Sequence, residues 1–276
     1  MTRLEVPDPQ LVSEPVPEVP PPGTGSRAPA TSTVKITGVS KVYGHAGDAV
    51  PALDHISLDV VRGQFVCLLG ASGCGKSTLL NLVAGLDRPT SGTVEVNGHT
   101  TLMFQEAALF PWLTARGNVE LALKLQKIGK VERRKRAGRL LSLVHLEGFD
   151  SKLPHELSGG MRQRVQLARS LAQGVDVLLM DEPFGALDAM TRDILHDELE
   201  RLWQEQGLTI IFVTHNVREA VRLGESVVLL TSRPGRVVED YTVEIPRPRR
   251  IESHVVADQA AEITGRLREE VRRHGD

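Results

Sequence analysis

The stretch Gly70-Ala71-Ser72-Gly73-Cys74-Gly75-Lys76-Ser77-Thr78 constrains this chain more than any other, because it fits G-x-x-x-x-G-K-[ST] at every fixed position. Such a loop needs a buried strand before it and a helix after it. Gln64-Phe65-Val66-Cys67-Leu68-Leu69 reads as a short buried strand, and Thr78-Leu79-Leu80-Asn81-Leu82-Val83-Ala84 as a helix start. Gly70, Gly73 and Gly75 let the backbone wrap closely, so that its N–H groups converge on phosphate oxygens. The helix N-terminus adds partial positive charge, Lys76 a full charge, and the Ser77 hydroxyl a ligand for Mg²⁺. Gly70 to Thr78 is therefore a candidate nucleoside triphosphate site. Within it, the Cys74 thiol beside Lys76 is expected to be reactive and to be protected by nucleotide.

The rest of the chain supplies a body for that loop. Its 276 residues, 41% hydrophobic and 25% charged, suffice for one large domain with a real core. A net charge of −2 argues against a nucleic-acid partner. No apolar run approaches the ~18 residues of a membrane span, the acidic start lacks a signal-peptide pattern, and the two cysteines read as free thiols. A cytoplasmic protein is expected, with any membrane role exercised through a partner. Residues 1–33 hold eight of the sixteen prolines and read as a disordered tail. From Val34 short alternating strands follow, Val34–Thr37 and Ile56–Val60, then Gly92–Gly98 after the loop. Residues 106–156 are helical in pattern and carry the basic run Arg133-Arg134-Lys135-Arg136, either a solvated helix face or a patch for docking or for an anion. Strands and helices then alternate, as in an α/β domain whose ligand lies at the carboxyl ends of parallel strands. Residues 248–276 form an amphipathic extension. Its residues Val256, Ala260, Ile263, Leu267 and Val271 fall on one helical face, to pack on the domain or on a partner.

Cleaving a γ-phosphate needs positioning, a metal and a group that orients water. Asp181, delivered by the apolar run Val177-Leu178-Leu179-Met180, suits a Mg²⁺ site shared with Ser77. Glu182 can act as general base, and His215, ending the next strand, can donate to the γ-phosphate. Gln105 offers an amide to metal or water, and Tyr43 a ring for a purine base. Leu157-Ser158-Gly159-Gly160-Met161-Arg162-Gln163 is a second helix start built for an anion. One nucleotide already has its cradle, so the second suggests service to another molecule's nucleotide.

These motifs, taken in order, resemble the ATP-binding subunits of ABC transporters from Val34 to about Arg247. The resemblance implies an α/β P-loop domain with a β-rich N-terminal part, a RecA-like core and an inserted helical subdomain. It makes Gly70, Ala71, Ser72, Gly73, Cys74, Gly75, Lys76, Ser77 and Thr78 the phosphate loop, Gln105 the glutamine loop and Ser158, Gly159 and Gly160 the signature. Asp181-Glu182 becomes the Mg²⁺ and catalytic pair, Ala186-Leu187-Asp188 the D-loop, His215 the switch histidine and Tyr43 the adenine-stacking aromatic. ATP and Mg²⁺ are the implied cofactors, with Ser77, Gln105 and Asp181 around the metal. The implied partners are a second ATPase subunit, probed by Ser158 and Gly160 across a head-to-tail dimer that Asp188 links, and two membrane permease subunits. A solute-binding protein outside the membrane joins them indirectly. The strings Phe104–Trp112, Glu182–Asp188 and Ser232–Val237 are similar to importer ATPases of the nitrate, sulfonate and taurine group, which places the chain peripherally on the inner membrane face.

The connection from Gly98 to Gln105 is shorter here than in those relatives, so the strand into Gln105 is expected to be shortened or shifted. Phe110-Pro111-Trp112-Leu113 either caps the helical subdomain's own core or, by the resemblance, borders a groove for a permease helix. The rival readings are an exporter or lipoprotein-extracting ATPase, a soluble ABC protein acting on ribosomes or DNA, and a small-molecule kinase. The signature helix argues against the last. Neither a second cassette nor a long coiled-coil insertion is present for the soluble ABC reading.

Overall fold

The computed structural model describes residues 32–44, 48–185 and 187–273. Residues 1–31 of the expected tail, and Ala186 of the D-loop string, lie outside the described residues. Two residues assigned to the tail belong instead to a strand: β1 (Ser32–Tyr43) begins at Ser32, and Thr33 is buried. The strand runs on past the alternating stretch because it has a partner on each side. It pairs antiparallel with β2 (Val50–Val61) and with β4 (Ser91–Val96) in a three-stranded sheet.

The apolar runs of the sequence become the centre of a second, six-stranded sheet. β3 (Phe65–Leu69), β7 (Thr209–Val213) and β8 (Ser226–Leu230) are buried at every residue, as befits parallel strands covered on both faces. β5 (Thr100–Met103) and β6 (Val177–Asp181) complete the parallel part, and β9 (Val237–Thr242) closes the edge antiparallel to β8. The order is β5-β6-β7-β3-β8-β9. Alternate residues divide between two cores. Phe65, Cys67 and Leu69 face a helical layer, whereas Val66 and Leu68 face β1, β2 and the helix α1 (Lys76–Val83). β6 and β7 split likewise, with Leu178 and Ile210 on one side and Leu179 and Ile211 on the other.

Between β5 and β6 the chain forms α2 (Ala115–Leu125), α3 (Lys130–Leu143) and α4 (Gly159–Leu171), which pack on one another through Val119, Leu141 and Val165. Thr114 caps α2 by accepting from the Gly117 N–H at 3.0 Å. Buried Asn118 ties down the preceding turn: its amide donates to the carbonyls of Phe110, Leu113 and Thr114, and its oxygen accepts from the Phe110 N–H at 2.8 Å. After β6 come α5 (Ala189–Gln206) and α6 (Val217–Leu223). The last helix, α7 (His254–Arg273), buries Val256, Ala260 and Ile263 in the helix-side core against α6. Val271, expected on the same face, is 43% exposed. Among the described residues no helix is long and apolar enough to cross a membrane.

Candidate active site

The phosphate-binding pattern lies between β3 and α1, on the carboxyl edge of the parallel strands. Gly75 is the N-cap of α1 with φ 98°, and no side chain caps that helix. A β-carbon at Gly75 would come within 2.6 Å of Leu53 Cδ2 and 2.7 Å of the Ala52 carbonyl. Only glycine allows both that dihedral and that approach. Lys76 is 6% exposed; its ammonium donates at 2.9 Å to the carbonyls of Gly70 and Ala71 and lies 3.6 Å from Cys74 Sγ. These partners are carbonyl dipoles and a sulfur, not a carboxylate. A buried cation so held, above an uncapped helix start, suits a polyanion. Cys74 itself is 1% exposed and packs into the core beside Leu79 and Leu230, so its thiol is closed to solvent, contrary to the expectation of an open reactive group.

The segment Ser232–Val237, read in sequence only as a subgroup marker, lies directly behind the loop. Arg233 Nε donates to the Gly73 carbonyl at 3.4 Å, and Gly235 bonds through its N–H to Ala52 and through its carbonyl to Asp54, both at 2.9 Å. Tyr43, paired with Val50 at the end of β1, is 41% exposed. Lys41 lies 4.8 Å from its ring centroid, and its hydroxyl donates to Asp87 at 3.0 Å.

The structure brings the carboxylate pair to the same edge. Asp181 ends β6 and accepts a hydrogen bond from the Ser77 hydroxyl. Burial pushes its carboxyl above the usual aspartate range, the Ser77 hydrogen bond opposing. Glu182 takes φ 44°, an uncommon conformation for a non-glycine residue, while its N–H bonds to Val213 at 3.0 Å. Glu182 Oε2 lies 3.0 Å from His215 Nδ1. Lys76, Ser77, Asp181, Glu182 and His215 thus form one connected cluster.

Behind it stands a buried network that sequence reading missed. Glu219 on α6 bonds Thr214, the neighbour of His215, through one oxygen and His196 Nε2 on α5 at 2.6 Å through the other. Thr214 Oγ1 also accepts from the Asn216 N–H at 3.0 Å. Burial pushes the Glu219 carboxyl up, but the bonds from His196 and Thr214 and the nearby Arg192 outweigh it and hold it below its ordinary value. Arg192 donates at 2.9 Å to the Leu187 carbonyl. The support behind His215 and the turn before α5 therefore share one polar core. Since 23 residues separate His196 from Glu219, no local pattern could have revealed the pair.

Ser158 is the N-cap of α4, its Oγ accepting from the Met161 N–H at 3.2 Å. A β-carbon at Gly160 would lie 2.6 Å from Leu187 Cδ2, so the bare glycine lets Leu187 cover the start of α4. Asp188 caps α5 by accepting from the Thr191 N–H at 3.0 Å, a bond that holds its carboxyl below the usual range. Among the described residues no hydrogen bond joins Ser158, Gly159 or Gly160 to the phosphate loop.

Gln105 leaves β5 two residues after Met103, which pairs with Met180. β5 is only four residues long, yet its register with β6 is unbroken, so Gln105 emerges level with Glu182. The strand is short but not displaced. α4 holds the segment from behind: Gln163 donates to the Gln105 carbonyl, Gln166 to that of Phe104 at 3.2 Å and Arg169 to that of Ala108 at 2.6 Å. Just beyond opens an apolar cleft of about 560 Å³, lined by Leu86, Leu102, Phe104, Phe110, Leu121 and Leu125 among others. Trp112, its ring 5.5 Å from that of Phe110, is 72% exposed and caps no core of its own.

Comparison with known proteins agrees with this geometry. Residues 53–185 match the ABC transporter family. The chain is 44% identical to an uncharacterized ABC transporter ATP-binding protein of Methanocaldococcus jannaschii, over 86% of this chain and 92% of that protein. It is 47% identical to a nitrate import ATP-binding protein of Synechocystis sp., over 77% and 83% of the two chains, and 47% identical to a taurine import ATP-binding protein of Roseobacter denitrificans, over 71% and 76%. A dimeric ATP-binding cassette solved in a post-hydrolysis state with ADP and Pi superposes with a TM-score of 0.72 at 35% identity, covering 77% of this chain and all of that one. These likenesses show that the chain belongs to the ATP-binding subunits of the ABC transporter family, an ATPase.

Proposed function

We propose that this ATPase powers import of a small oxyanion or sulfonate, of the kind named by its nitrate- and taurine-import relatives, through two membrane permease subunits. The observation that carries the permease part is the apolar cleft directly after Gln105, with Trp112 exposed at its side. A subunit with no such partner would have little reason to leave those surfaces wet. In this reading Gly70 to Thr78 hold the triphosphate and Tyr43 faces its base. Ser77, Asp181 and Gln105 would hold Mg²⁺, which supplies charge neutralisation on the phosphates. Glu182 removes a proton from the attacking water, and His215, already bonded to Glu182, orients on the γ-phosphate.

A second copy supplies Ser158, Gly159 and Gly160 to this nucleotide, and Asp188 stands between the two sites. Ser158 is exposed at the start of α4, which supports a shared site. Pairing on ATP and release after hydrolysis would move the permease through the Gln105 segment, whose backbone α4 already holds. The test is copurification with the membrane partners, followed by ATP turnover in proteoliposomes against nitrate, sulfonates and taurine. Stimulation by one of these from the solute-binding side supports the reading. Stimulation only by a cytoplasmic-side substrate would replace it with export.

A further inference from the structure

The tip joining α2 to α3 carries a charge excess that runs against the rest of the chain. Residues 115–143 contain nine Lys and Arg against two acidic residues, in a protein of net charge −2. Both acids are engaged: Glu120 with Arg133 at 3.6 Å, and Glu132 with Arg136 at 2.8 Å and Arg139 at 3.4 Å. Among the described residues Lys124, Lys127, Lys130, Arg134 and Lys135 form no salt bridge, and all five are exposed. Between them protrude Leu125 and Val131, exposed by 78% and 87%.

The local choices here oppose helix stability. Gly129 begins α3 with no side-chain cap, and Lys130, Arg133 and Arg134 outnumber the one acid, Glu132, at the end of a helix that repels cations. A β-branched valine left in water adds nothing to the fold. Where several residues break local rules together, a function outside the fold is the economical cause.

We propose that this tip rests on an anionic lipid surface, the five cations meeting headgroup phosphates while Val131 and Leu125 enter the acyl boundary. Aliphatic side chains projecting among cations suit a soft interface. A nucleic-acid reader would interleave aromatics, and residues 115–143 contain none. Leu125 also lines the cleft proposed for the permease, so the tip continues that membrane-facing surface; to this extent the inference rests on that reading.

The experiment needs no permease. The full chain is floated with vesicles of phosphatidylcholine alone, or mixed with phosphatidylglycerol, across a salt series. Binding to the anionic vesicles should exceed that to neutral ones by about tenfold or more and weaken as salt rises. Lys130→Glu/Arg134→Glu/Lys135→Glu should abolish it while lipid-free ATP turnover stays unchanged. Acids at the start of α3 favour the helix, so misfolding would not explain the loss. Val131→Ser should reduce binding severalfold without altering its salt dependence. Equal binding to both vesicle types, or full binding by the triple variant, would overturn the proposal. So would failure of the wild type to float while the triple variant loses permease assembly, which would assign the tip to an acidic protein segment. Normal flotation with no permease assembly at all would instead remove the transport reading and leave this one standing.

Discussion

Two helix starts in this chain are built to face an anion, and they differ in how complete they are. α1 begins at a left-handed glycine with no side-chain cap, and a buried lysine folds over the loop that precedes it. α4 begins at Ser158, whose own hydroxyl already satisfies the Met161 N–H. The first has the open helix start and the buried cation that a phosphate site requires. The second is a helix end that offers one hydroxyl and bare backbone, and among the described residues it makes no hydrogen bond to the phosphate loop of its own chain. A site that binds alone must leave its donors open. A site that only completes another can be capped and stable while it waits.

That contrast can be broken by experiment. Lys76→Ala should lower ATP affinity by two or more orders of magnitude with the fold retained, read by binding of a fluorescent nucleotide; unchanged affinity would mean that the uncapped helix alone suffices. Glu182→Gln should bind ATP normally and cut turnover by about a hundredfold or more, as for loss of a general base. The ATP-bound dimer should then accumulate in size-exclusion chromatography. Ser158→Asp sharpens the comparison, because aspartate is as good an N-cap as serine. Its melting temperature should hold and its monomer should bind ATP normally. ATP-driven pairing should fall by about tenfold or more, since a carboxylate would then face a phosphate. Equal pairing would show that α4 does not touch nucleotide.

A smaller effect is expected at the cleft. Because Trp112 is 72% exposed, Trp112→Ala should change stability by no more than about 0.5 kcal/mol. If it anchors the permease, assembly should weaken by about 2 kcal/mol, roughly thirtyfold. The smallest effects concern pH. The Asp181 carboxyl is raised by burial, so in the metal-free subunit it takes up a proton at a higher pH than an ordinary aspartate, and Mg²⁺ affinity, read by titration across pH, should begin to fall correspondingly early on acidification. Glu219 is held low, chiefly by His196 after burial is overcome, so its contribution to stability is present above the ordinary glutamate range and lost as pH falls through its lowered value. Glu219→Gln should be less stable near neutrality and show a flatter acid limb in thermal melts. An acid limb identical to the wild type's would remove Glu219 from that role.

What could be read without coordinates was whatever depends on neighbours along the chain. The phosphate loop is contiguous, and its glycines, Lys76 and Ser77 state their chemistry by spacing. Asp181 and Glu182 follow from an apolar strand that ends in charge. Ser158 announces a cap. Residues whose partners lie far away carried no such signal. Thr33 looked like tail because β4, which pairs directly with its strand, lies some sixty residues on. Arg233 was a marker in a short string until the fold set it against Gly73. Asn118 is one polar residue in an amphipathic helix, yet it holds the turn that displays Phe110 and Trp112.

The sequence by itself determined the chemistry, because a phosphate cradle is made from consecutive backbone N–H groups and glycines that permit them. Only the tertiary structure decided where that chemistry meets its supports. Cys74 turned inward rather than outward because its loop packs on β8. The short β5 still delivered Gln105 beside Glu182 because parallel pairing with β6 sets its register, whatever the length of the connection before it. His196, Glu219 and Thr214 became one network because burial leaves polar groups no water, and each had to find a partner on another element.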